Sequence, residues 1–132
     1  MDKQDVVTKH ETIVVRFAGD SGDGVQLLGE QLTITAALSG RDVRTLPEFP
    51  AEIRAPAGTV AGISGFQVAM AEQAIFTAGE TLDVLVALNP AALKHSLQYL
   101  NVGGLLILNQ DSFTDKDWQR AGLSTDFLSR VA

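Results

Sequence analysis

Between Thr12 and Leu38 the apolar residues change period across a glycine-rich junction. TIVVRFAG is a β-branched run of strand length that ends in glycine. Beyond DSGDG, residues Val25, Leu28, Leu32 and Ala36 recur at helical spacing, and the pattern stops near LSG with Gly40 as terminator. A strand feeding a helix through a short turn cannot bury both apolar surfaces alone. It commits the chain to a layered α/β architecture.

The rest of the chain repeats the alternation. RDVRTL predicts a second strand, after which Pro47 and Pro50 interrupt the chain and PEFPAEIRAPAG reads as an irregular loop. TVAGISGFQVAM reads as extended, with glycines that permit bends or close backbone approach. TLDVLVAL is the strongest strand after the first. It leads into NPAALKHSLQYL, where Asn89 is placed to cap a helix, Pro90 takes its first position, and Leu93, Leu97 and Leu100 form one apolar face. NVGG predicts a turn and LLILN a further strand. SFTDKDWQRAG predicts a short helix with a Ser112…Asp115 cap and a closing Gly122.

The continuous apolar runs DVLVAL and LLIL predict strands buried on both faces, as in a parallel sheet between helices. The expected fold is therefore α/β: a Rossmann-like, mostly parallel sheet with flanking helices, in a single domain. With 132 residues and 45% apolar content, the chain is long enough for one core. Residues 1–11 read as a flexible polar leader and 12–132 as the domain, whose last segment, GLSTDFLSRVA, offers no closing strand.

Sixteen acidic against ten basic residues give a net charge of −6, with no Lys/Arg cluster to meet a nucleic-acid backbone. The chain has no cysteine, which removes disulfides, thiol nucleophiles and cysteine-ligated clusters or zinc from its own chemistry. His10 and His95 are too far apart in sequence to read as a metal pair. The polar start, MDKQDVVTKHE, lacks the apolar core of a signal peptide, and no apolar run approaches a membrane span. A soluble, cytoplasmic protein with no membrane or nucleic-acid partner is expected.

Three constellations are candidates for function. The first is Gly19-Asp20-Ser21-Gly22-Asp23-Gly24 between strand and helix. Its order is G-x-x-G-x-G, whereas a dinucleotide loop is G-x-G-x-x-G. Asp20 and Asp23 also oppose an anion: at about 5 Å and a dielectric of about 20, each repels a negative charge by roughly 3 kcal/mol. The P-loop lysine is missing. The second strand ends in Thr45-Leu46 where a ribose-binding acid is expected, with Glu48 only beyond a proline. The competing reading is a tight structural turn, in which the glycines take positive φ and the aspartates cap amides.

The second constellation is LPEFPAEIRAPAGT, stiffened by three prolines, with Glu52 and Arg54 projecting. It reads either as a surface loop with a local ion pair or, given its length, as an interface or ligand element. The third is Asn89, at the carboxyl end of a central strand, where open α/β sheets bind ligands and where simple helix capping explains it equally. His95 reads as a helix-surface residue and Trp118 as part of a packing cluster.

In this order and spacing, FAGDSGDGVQLLGEQLT, TLPEFPAEIRAPAGTVAGISGFQV and DVLVALNPAALKHSLQYLNVGGLLILN resemble the gamma domain of 2-oxoacid:ferredoxin oxidoreductases. The likeness covers roughly Thr12 to Phe113 and is nearest to the 2-oxoglutarate-type enzymes in which gamma is fused ahead of alpha. It implies a Rossmann-like domain of a larger complex that converts a 2-oxoacid to an acyl-CoA, reversibly. Thiamine diphosphate, Mg2+ and [4Fe–4S] clusters would lie in alpha and beta partner domains or subunits, CoA would be cosubstrate, and ferredoxin would take the electrons. None of these cofactors is expected to be bound by this chain alone, and no catalytic residue is assigned to it.

The matching positions are Gly19 to Gly24, then Pro50, Glu52, Ile53 and Arg54, then Asn89 and Pro90. Of these, Gly19, Asp20, Ser21, Gly22, Asp23, Gly24, Arg54 and Asn89 would serve CoA or a subunit interface, with Arg54 either facing a CoA phosphate or paired with Glu52. The resemblance also implies a longer polypeptide, and the domain reads as shortened at its C-terminal end. A stand-alone nucleotide-binding module and a pure scaffold are the alternative readings.

Overall fold

The computed structural model describes residues 12–20, 22–49 and 63–131. Five strands form one sheet: β1 (Thr12–Asp20), β2 (Asp42–Glu48), β3 (Ile63–Ala71), β4 (Leu82–Ala87) and β5 (Leu100–Leu108). Among the described residues four α-helices accompany them: α1 (Val25–Leu38), α2 (Pro90–Ser96), α3 (Asp115–Arg120) and α4 (Phe127–Val131). The strand order is β2-β3-β1-β4-β5. β1, β4 and β5 are parallel, and β3 runs against both β1 and β2, so four strands share one direction. The mostly parallel α/β sheet is as expected. The reversed β3, wedged between β1 and β2, is what the periodicity did not announce.

β2 runs through Pro47 to Glu48, further than RDVRTL. A proline is tolerated there because β2 is an edge strand, laddered on one side only.

α1 covers one sheet face, with Val25, Phe66 and Val68 as its core and Phe17, Leu32, Val43 and Met70 around them. Its buried stripe is Val25, Gly29 and Ala36 rather than the expected one through Leu28, which is 41% exposed. The reason is close packing: a Cβ on Gly29 would lie 2.1 Å from the Phe66 ring. The glycine lets the helix sit directly on β3.

The opposite face carries the larger core. Val14, Ala18, Ala69, Leu82, Leu85 and Ala87 of the sheet meet Ala92 and Leu93 of α2 and Trp118 of α3. Trp118 packs edge-on against Phe113, with ring centroids 5.3 Å apart, and against Phe127, as its expected packing role requires.

Three local expectations are corrected. NVGG is not a turn; it lies within β5, where Leu82 pairs with Leu100 but Val84 with Leu105. The extra residues bulge, and Gly103 takes φ 84°. LLIL is not buried on both faces: Leu106 and Leu108 pack on the core, whereas Leu105 is 57% and Ile107 45% exposed. β5 is an edge, and α1 lies over β1, β2 and β3 instead. The cap of α3 is Thr114, not Ser112. The Thr114 hydroxyl accepts from the Asp117 amide and the Asp117 carboxylate accepts from the Thr114 amide. Among the described residues no helix is long and apolar enough to cross a membrane.

Candidate functional site

β1 and β4 are parallel neighbours, and the chain leaves them toward opposite faces, β1 into α1 and β4 into α2. Their carboxyl ends therefore flank a topological switch point, where open α/β sheets form a crevice. The first and third constellations meet there.

Past Asp20 the backbone closes a turn, with the Asp23 amide donating to the Asp20 carbonyl at 3.0 Å. The Asp20 amide donates to Asp23 Oδ2 at 2.8 Å. From the other strand, Asn89 Oδ1 accepts from the Ala92 amide at 2.8 Å and caps α2, with Pro90 in the first turn. Its Nδ2 donates to Asp20 Oδ1 at 3.1 Å. One side chain thus caps a helix and ties the two loops together.

The turn does not use its glycines alike. Gly24 caps α1 at φ 78°, a left-handed conformation that disfavours a side chain. Gly19 is held by proximity, since a Cβ would fall 2.9 Å from Asp23 Oδ2 and 3.1 Å from Leu88 and Val25. Gly22 needs neither: its φ is not left-handed, and a Cβ would meet nothing within 4 Å. The expectation of positive φ therefore holds for Gly24 alone. Nor do the aspartates cap α1, which has no side-chain cap and no acid in its first turn. Among the described residues its leading amides meet no side-chain cap, an arrangement that suits water or an anion. The Asp23 carboxylate instead accepts within the loop and the Asp20 carboxylate accepts from Asn89, which turns hydrogen-bonding capacity inward without removing the charge.

Ser21, Pro50, Glu52, Ile53 and Arg54 lie outside the described residues, as does the leader 1–11. His95 is exposed on α2, as expected.

A second polar cluster escaped the sequence reading. Arg16, in the middle of β1, is 5% exposed. Its guanidinium donates to Gln67 Oε1 at 3.1 Å, to Ser96 Oγ at 3.3 Å and to the Glu48 carboxylate. Gln67 in turn donates to the carbonyls of Ala78 and Gly79. From the other face, Gln26 in the first turn of α1 donates to the Glu48 carbonyl at 3.2 Å and the Gly65 carbonyl at 3.0 Å. Glu48 is held by its carboxylate on one face and its carbonyl on the other, one residue before Phe49. The only signal was an arginine inside VVRFA, a charge that cannot be buried without partners.

Residues 14–126 match the family described as pyruvate ferredoxin/flavodoxin oxidoreductase, and the chain belongs to it. It is 53% identical over 118 residues to the 2-oxoglutarate oxidoreductase subunit KorA of Mycobacterium tuberculosis (strain ATCC 25618 / H37Rv), spanning 89% of this chain and 18% of that relative. Among solved structures it is similar to the 2-oxoglutarate:ferredoxin oxidoreductase of Magnetococcus marinus, solved with 2-oxoglutarate, coenzyme A and succinyl-CoA bound. That TM-score is 0.65 at 26% identity, over 74% of this chain and 16% of the other. The gamma subunit of the Geobacter sulfurreducens PCA keto/oxoacid ferredoxin oxidoreductase shares the fold, with TM-score 0.59 and 23% identity over 76% of this chain and 51% of that one. So does the pyruvate oxidoreductase subunit PORC of Thermotoga maritima, with TM-score 0.56 and 19% identity over 86% and 58%.

Proposed function

We propose that residues 12–132 act as the gamma domain of a thiamine-diphosphate-dependent 2-oxoacid:ferredoxin oxidoreductase, with 2-oxoglutarate as the oxoacid. The domain contributes to assembly with alpha and beta partners and to the CoA side of the reaction. The observation that carries this reading is the Asn89–Asp20 junction at the switch point, on the fold of these enzymes' gamma subunits. The identity with a 2-oxoglutarate oxidoreductase subunit favours that oxoacid over pyruvate.

The chain's own donors do not suit the family's metal groups. It has no cysteine for a [4Fe–4S] cluster, and no three His, Asp or Glu residues gather among the described ones. Thiamine diphosphate, Mg2+ and the clusters are assigned to the partner domains, and this chain's role is to bind and orient. The uncapped amides of α1 suit an anionic group of CoA at Gly24. Arg54 supplies the cation for a CoA phosphate. Asp20 and Asp23 disfavour any anion that enters without such a cation.

The test is reconstitution. Alpha and beta partners lacking a gamma domain are assayed for 2-oxoglutarate- and CoA-dependent acceptor reduction, with and without this chain. Gain of activity and co-elution are expected; identical rates and no complex would overturn the reading. In the reconstituted enzyme, Arg54→Ala should raise KM for CoA more than KM for the oxoacid.

The N-terminus of α1, which has no side-chain cap among the described residues, also favours a second reading, a free-standing nucleotide-binding module. Calorimetry of the isolated chain against NAD, FAD and CoA separates the two. Micromolar NAD or FAD affinity would favour the module, and no binding to any of the three would favour a scaffold.

A further inference from the structure

Three strand ends meet at one edge of the sheet. β3 runs against both β1 and β2, and β4 runs with β1, so β1, β2 and β4 end where β3 begins. Register fixes how close they come. Ile63 pairs with Asp20 and Ser64 with Gly19, while Glu48 pairs with Gly65. The end of β2 and the start of β3 therefore border the same crevice that Asp20 and Asn89 flank.

β2 is an edge strand, so its last residue has a neighbouring strand on one side only. Side chains hold it from both faces. From the first turn of α1, Gln26 Nε2 donates to the Glu48 carbonyl at 3.2 Å, to Ser64 Oγ at 3.0 Å and to the Gly65 carbonyl at 3.0 Å. Ser64 is buried, and its hydroxyl donates to the Glu48 carbonyl at 3.4 Å. A side-chain amide has two hydrogens, and here three oxygens share them. The Gln26 donor is thus committed to the sheet rather than to a ligand.

On the other face the Glu48 carboxylate accepts from Arg16, which Ser96 and Gln67 hold in place. Gly65 lies directly beneath this pair. A Cβ there would fall 2.7 Å from Arg16 Nη2 and 3.3 Å from Glu48 Oε1. Residues of β1, β3 and α1 thus converge on one residue of β2, and the two ties act on opposite faces. Together they fix where the chain leaves the sheet, and in which direction.

We infer that Gln26, and Arg16 acting through Glu48, are positioning residues for the CoA side of the reaction. They hold the end of β2 and the start of β3 against the first turn of α1, at the crevice assigned above to CoA. The inference rests on that functional reading.

The test uses the chain reconstituted with its alpha and beta partners. Gln26→Met keeps the length and the net charge of the native side chain but has no donor. It should raise KM for CoA about tenfold, with kcat and KM for 2-oxoglutarate within about twofold of native. Gly65→Ala displaces the Arg16–Glu48 pair from the opposite face and leaves the Gly65 carbonyl to Gln26. It should raise the same constant, and Gln26→Met alone decides if this variant fails to fold. Thr114→Val removes the cap of α3, away from the crevice, and reads the effect of lost stability by itself; both Michaelis constants should stay native. With the native chain active, an unchanged KM for CoA in Gln26→Met, an equal rise in both Michaelis constants, or a fall in kcat alone overturns the positioning role and leaves the family function standing. A native chain that neither co-elutes nor restores activity removes both.

Discussion

Asn89 Nδ2 donates to Asp20 Oδ1 at 3.1 Å, across 69 residues of sequence. The bond joins the ends of two parallel strands, and the same side chain accepts the Ala92 amide through Oδ1. Both functions fail in Asn89→Ala, which should lose about 1 kcal/mol for the cap, with the junction in addition. Asn89→Asp keeps an acceptor for the Ala92 amide but sets a like charge against Asp20. Urea unfolding should rank the native chain above Asn89→Asp at neutral pH, with the deficit of that variant shrinking in salt. A salt-independent deficit would refute the charge account.

Arg16 is buried while its anionic partner Glu48 is 46% exposed on its side chain. The pair is therefore asymmetric. Arg16→Met strands Gln67 Oε1 and Ser96 Oγ inside the protein and should cost about 1–3 kcal/mol. Glu48→Gln keeps a neutral acceptor near the guanidinium and should cost less, because water reaches that end. Chemical denaturation of both variants checks the order, and equal losses would contradict it.

Gly29 is the contact point of α1 on β3. Gly29→Ala improves helix propensity by about 1 kcal/mol, yet it drives a methyl into the Phe66 ring, which should cost about 1–3 kcal/mol or more. Net destabilisation is expected. Adding Phe66→Leu should restore part of the loss, with a favourable coupling between the two sites in a double-mutant cycle. Simple additivity would show that the helix shifts instead.

The Asp117 carboxyl is held below its ordinary value of 3.8, first by the Thr114 hydroxyl, then by the Thr114 amide. Its folded pKa is depressed, so the stabilisation is present above pH 3.8 and is lost as pH falls below that, through the lowered pKa. Acid should fray α3 and change the emission of Trp118 in that range. Carboxyl NMR titration should place Asp117 below 3.8, and Thr114→Val should move it back up. An unmoved Asp117 in that variant would discard the capping box as the cause.

What was legible in the sequence was local. The strand–turn–helix unit, the Asn89-Pro90 helix start and the left-handed Gly24 each follow from residues within a few positions of one another. Leu28 misled because periodicity cannot see Phe66, whose ring makes Gly29 the contact residue. NVGG misled because a bulge and a turn ask for the same glycines, and only the Leu82–Leu100 and Val84–Leu105 pairings separate them. The Arg16 cluster was invisible for a larger reason. Its members stand at positions 16, 48, 67 and 96, and a reversed β3 between β1 and β2 is needed to assemble them. Nothing in an apolar run states its direction.

That reversed strand also sets the order in which the sheet can be made. β1 leaves the ribosome before both of its partners, yet it occupies the centre, and Thr12 must wait for Ala71 while Val15 must wait for Val84. Until then an apolar strand is exposed with both edges unpaired, the condition that favours slow folding and capture by other chains.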